Sequence, residues 1–116
     1  MEKKFQIDLK NKEVLALCPN IYYWEKPENS NVIDYIRWFI LDEQEKAWAG
    51  GNPLYTEFDI QVDIFTEGDF NNIARIVKNT LKDKGYSLIE NSNDVIKKGD
   101  VKLFNKTLRF RFNKYN

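Results

Sequence analysis

Between Glu57 and Phe65 the chain reads Glu-Phe-Asp-Ile-Gln-Val-Asp-Ile-Phe, and from Glu57 to Ile64 its polarity changes at every step. Phe58, Ile60, Val62 and Ile64 fall on one side of an extended backbone, with Glu57, Asp59, Gln61 and Asp63 on the other. That period of two belongs to a strand with one buried face. The pattern returns near the C-terminus, where Leu108, Phe110 and Phe112 alternate with Thr107, Arg109 and Arg111. If the two strands pair, Asp59 and Asp63 face Arg109 and Arg111 across the polar side. Exposed pairs of this kind contribute only about 0.2–1 kcal/mol each, so they act on register more than on stability.

The rest of the chain supplies partners for these strands. Asp69 or Gly68 can cap a helix running through Lys84, with Phe70, Ile73, Ile76, Val77 and Leu81 forming one apolar stripe. Gly85 stands where a left-handed cap is expected, and Lys82 and Lys84 suit the negative end of the helix dipole. Upstream, a short amphipathic helix is expected within residues 5–17, confined to Asp8–Leu17 and ended by Pro19-Asn20. Ile21-Tyr-Tyr-Trp24 favours a strand, and Pro27–Asn31 has the residues of a turn.

From Val32 to Leu41 both alternating sets are largely apolar: Val32, Ile36, Trp38 and Ile40 on one side, Ile33, Tyr35, Phe39 and Leu41 on the other. Such a strand is either central to a covered sheet or pressed against a partner chain. Asp42–Pro53 breaks the regularity and reads as a long loop, in which Trp48 folds back on the domain or anchors a partner. Tyr86–Glu90 reads as a short strand, Asn91–Asp94 as a turn, and Val101–Phe112 as the closing strand. The expectation is a single α+β domain over residues 1–116. Its sheet is antiparallel, or mixed, with four to five strands and two helices packed on it, in the order α-β-β-β-α-β-β.

Composition narrows the chemistry. Eighteen basic residues balance eighteen acidic ones, so no net field draws the chain to nucleic acid or an anionic membrane. The absence of histidine removes the usual general base near neutral pH and the commonest metal ligand. Cys18 is the single cysteine and lies in Leu15-Ala-Leu-Cys18-Pro19, a setting for an inert buried thiol. No hydrophobic leader opens the chain and no apolar run reaches the length of a membrane span, so a soluble intracellular protein without membrane contact is expected.

Scattered glycines make no phosphate-binding loop, and Ser30, Ser87 and Ser92 have no histidine to activate them. Asp59, Gln61 and Asp63 recur at about 6.6 Å along one strand face. That spacing can build a divalent metal site, but a solvated strand face explains it better. No catalytic, cofactor or metal residues are therefore assigned, and a non-enzyme is expected. Arg109, Arg111, Lys114, Tyr115 and Trp48 offer basic and aromatic groups for single-stranded nucleic acid. The neutral charge balance argues against that use.

Taken together, the order of elements resembles the tail terminator and tail-completion proteins of long-tailed bacteriophages. The likeness is carried by Pro19-Asn-Ile-Tyr-Tyr-Trp24 with Pro27-Glu-Asn29, by Tyr55–Phe65, by the helix Phe70–Lys84 with Gly85-Tyr86, and by Thr107-Leu-Arg-Phe-Arg-Phe112, over roughly residues 8–112. The resemblance implies a non-enzymatic structural protein that caps the head-proximal end of the tail tube as a ring, typically a hexamer. The tube is joined there to the capsid connector. It implies as partners further copies of the chain, the tail-tube protein and the head–tail connector, with no specific nucleic acid. The implied location is the host cytoplasm during assembly and the virion afterwards. Tyr35, Phe39, Trp48, Asp59, Asp63, Arg109 and Arg111 are the residues expected at subunit or partner contacts. A neck or head-completion connector shares this size and composition and is the alternative, beside a small nucleic-acid-binding module.

Overall fold

A computed structural model describes residues 1–28, 30–98 and 101–116. The elements run α1 (Glu2–Leu9), α2 (Lys12–Leu17), β1 (Ile21–Tyr23), β2 (Tyr35–Ala49), β3 (Asn52–Thr66), α3 (Phe70–Asp83), β4 (Ser87–Lys98) and β5 (Val101–Tyr115). The five strands form one sheet in the order β1-β2-β3-β5-β4. Among the described residues only the β1–β2 pair is parallel, so the sheet is mixed and the chain is α+β as expected.

One face of the sheet carries the helices. Ile36, Trp38, Ile60, Val62, Ile64, Leu108 and Phe110 point to that side and are buried. They meet Phe5 and Leu9 of α1, Val14 of α2, and Ile73, Ala74, Val77 and Leu81 of α3. Phe5 fills the centre, its ring 4.8 Å from Trp38 and 5.4 Å from Tyr86. The alternation at residues 57–65 thus has the role its pattern implies: the even positions are core.

Helix α3 follows its sequence signals. Asp69 caps it by accepting a hydrogen bond from the Asn71 amide at 2.8 Å, and Gly85 follows its end at φ +94°. The N-terminal helix differs from expectation, being two helices instead of one. Asn11 accepts a hydrogen bond from the Val14 amide at 2.8 Å and so starts α2 afresh. Its amide nitrogen also donates to Thr80 Oγ1 at 2.9 Å, which fixes the break against α3. A residue that competes for the backbone this way favours a cap over a helix interior.

Three other expectations change. The strand expected from Val32 begins at Tyr35. Asp42–Pro53 is no loop: β2 runs on to Ala49, turns through Gly50 and Gly51, and returns as β3. Both glycines have positive φ, +58° and +81°, as the tight two-residue hairpin turn that suits twisted strands requires. Asn91–Asp94 is no turn either, since β4 continues through it, opposite Leu108 to Asn105 of β5. Pairing with the β5 backbone outweighs the turn preference of those side chains, which stay exposed.

Candidate interaction surface

The odd-numbered side of β3 makes a second face that no helix covers, and side chains fill it row by row. Asp59 lies opposite Arg111, Gln61 opposite Arg109, and Asp63 between Arg37 and Thr107. Arg111 grips Asp59 with two hydrogen bonds, Nε to Oδ1 at 2.8 Å and Nη2 to Oδ2 at 3.2 Å, and its Nε lies 3.3 Å from Glu57 Oε1. The bond to Asp59 holds the Arg111 guanidinium above its ordinary pKa. Arg109 donates to Gln61 at 3.1 Å and to Glu90 at 2.8 Å.

Asp63 is the centre of the face. It is 1% exposed, and accepts hydrogen bonds from Arg37 Nε at 2.9 Å, Thr107 Oγ1 at 2.8 Å and Gln61 Nε2 at 3.1 Å. The expected pairing of Asp59 and Asp63 with Arg109 and Arg111 is therefore met by Asp59 and Arg111 alone. Asp63 pairs with Arg37 and Arg109 with Glu90, because β2 and β4 flank the β3–β5 pair and bring their own charges. These charges satisfy one another inside the chain. Each arginine of the face has a carboxylate within 4 Å, so none offers an unneutralised charge to a phosphate backbone. Among the described residues, no group of three or more His, Cys, Asp or Glu is arranged to hold a metal ion.

Tyr35 and Phe39 lie at the margin of the same face and are half-buried by aromatic neighbours. Tyr35 stacks on Phe65 at 4.6 Å, and burial raises its pKa. Phe39 lies beneath Trp24, with centroids 5.0 Å apart and planes within 13°. Trp24 adopts φ +73°, a left-handed conformation that bulky residues rarely take, which turns its indole onto Phe39 and ends β1. The apolar odd side of the Val32–Leu41 run is thus covered from within at Tyr35 and Phe39, and exposed at Ile33 and Leu41.

Trp48 stands apart from the other expected contact residues. It lies one residue before the end of β2, 60% exposed, on an arm that runs past the helix-covered core. Leu54 and Tyr115 on the same arm are also exposed, with the Tyr115 ring 5.1 Å from Tyr55. At the other end of the sheet Lys26, Val32, Ile33, Tyr35 and Leu103 line a cleft of about 220 Å³. Sequence reasoning missed Arg37, Trp24, Leu103 and Glu90. Arg37 carried a signal, being the one charge between Tyr35 and Leu41. Burial on that side of β2 called for a partner.

No family model matches the chain, and no curated protein matches it. Among solved structures, 21 chains match. One superimposes with a TM-score of 0.50 at 14% identity, over 100% of this chain and 97% of its own. At that identity the likeness concerns the fold.

Proposed function

We propose that this chain is a structural virion protein that caps the head-proximal end of a bacteriophage tail tube and joins it to the capsid connector, assembling as a ring of copies. The reading starts from the resemblance of its sequence segments to tail terminators. One structural observation carries it further: the β2–β3 hairpin runs past the core, flanked by β5 as far as Tyr115, and leaves Trp48, Leu54 and Tyr115 exposed. Apolar groups clustered at the end of the sheet are best accounted for by a protein surface that covers them.

Polymerising a tail-tube protein with and without this chain tests the proposal. The expected result is tubes of limited length with this chain bound at one end. A tube population unchanged in length and free of this chain would overturn it.

A further inference from the structure

We propose that Lys106 and Lys78 form a binding site for a phosphate group at the margin between α3 and the sheet. The site lies on the helix-covered face, away from Arg37, Arg109 and Arg111, and its test does not depend on the terminator reading.

Strand register places Lys106. It lies opposite Ile64 of β3 and Asn93 of β4, and cross-strand partners point to the same side of a sheet. Ile64 is core, so the sheet turns Lys106 toward α3. There the residue is 8% exposed, a burial that lysine rarely reaches without a pairing acid. Its Nζ lies 5.8 Å from the ring centroid of Phe70, the first residue of α3. Lys78 stands about two turns further along that helix. Burial first, and then the charge of Lys78, lower the Lys106 pKa below the ordinary lysine value.

The chain supplies no counter-charge. No carboxylate lies within ion-pair distance of either lysine among the described residues. Lys4 and Lys26 are the lysines whose ammonium groups donate hydrogen bonds there, so Lys78 and Lys106 donate none. The one buried side-chain polar atom without a partner among the described residues is Asn105 Oδ1. The Lys106 Nζ therefore still meets solvent, and a ligand can reach it.

An anion between two like charges stabilises both, and the apolar floor of Ile64 and Phe70 strengthens its hold by lowering the local dielectric. A phosphate suits the pair better than a carboxylate. Its double negative charge matches two ammonium groups, and its oxygens can accept from both at once. The exposed Asn93 carboxamide, on the same side of the sheet, can add a third donor. Such a phosphate comes either as the free ion or within a single-stranded nucleic acid.

The test uses the full chain in phosphate-free buffer, as wild type and as Lys106→Met and Lys78→Met, which keep an apolar stem and remove the charge. Inorganic phosphate at ten times its Kd should raise the wild-type melting temperature by roughly 5 °C over sodium chloride of equal ionic strength. Each substitution should remove most of that rise. In the wild type, phosphate should also slow acetylation of Lys78 and Lys106 by roughly fivefold relative to the exposed Lys3 and Lys12, read by peptide mass spectrometry. That arm decides the question even where a variant fails to fold. Binding of labelled oligothymidylate, displaced by free phosphate and lost in Lys106→Met, would support the site and identify a phosphodiester as the source. Phosphate binding without oligonucleotide binding would support it with the free ion as ligand. A rise no larger than that from chloride, a rise that survives either substitution, or protection spread evenly over all lysines would each overturn the site.

Discussion

Arg37 places Nε 2.9 Å from Oδ2 of Asp63, and the carboxylate is 1% exposed where the arginine side chain is 36% exposed. The asymmetry sets the cost of breaking the pair. Arg37→Ala leaves a buried carboxylate with two neutral donors, and the expected loss is about 3 kcal/mol. Asp63→Asn keeps the shape and leaves a guanidinium that water can reach, so the expected loss is about 1 kcal/mol. Urea denaturation of both variants measures the difference, and equal losses would contradict it.

Gly50 and Gly51 hold the arm's turn at φ +58° and +81°, and no atom lies within 4 Å of a side chain added at either. Substitution there costs backbone strain alone. Gly50→Ala and Gly51→Ala should each destabilise by about 1 kcal/mol, and Gly50→Asn by less. Hydrogen exchange should show the loss first in the amides of residues 44–56, because the core strands do not depend on the turn.

Tyr86 is buried against Phe5 and donates its hydroxyl proton to Asp8 Oδ2 at 2.9 Å. Burial first, and then the bond to Asp8, raises its pKa far above the ordinary value of 10. The folded protein thus keeps a proton that the unfolded chain releases above about pH 10, and stability must fall as pH rises past that point. The contribution is present in full below pH 10. Melting curves from pH 8 to 11 should show the advantage of wild type over Tyr86→Phe shrinking above pH 10. An advantage constant across that range would contradict the assignment.

Cys18 is 1% exposed, and its thiol pKa is raised chiefly by burial. It should react with a disulfide reagent only as fast as the fold opens, and readily in urea. Complete labelling of the native protein within seconds would count against this burial.

The helix α3 and the strand β3 were legible because each has one wet face and one dry face, and periodicity records that contrast. The arm was not legible. Asp42–Lys46 is polar at every position because both sides of the ribbon meet solvent there, so no alternation marks it as strand. The partner of Asp63 was hidden for another reason: Arg37 is 26 residues away, and only the strand order β2-β3-β5 decides that it, and not Arg109, lies beside the carboxylate. Trp48 could be singled out from its surroundings, whereas the cleft joins residues 26–35 to Leu103 and has no local signature.

The length distribution of tail tubes, measured by electron microscopy over a series of ratios of this chain to tail-tube protein, tests the central claim most directly. A tail terminator predicts that mean tube length falls as the ratio rises, with the chain found at one end of each tube. Tubes of the same length at every ratio, with no end bound, would contradict it.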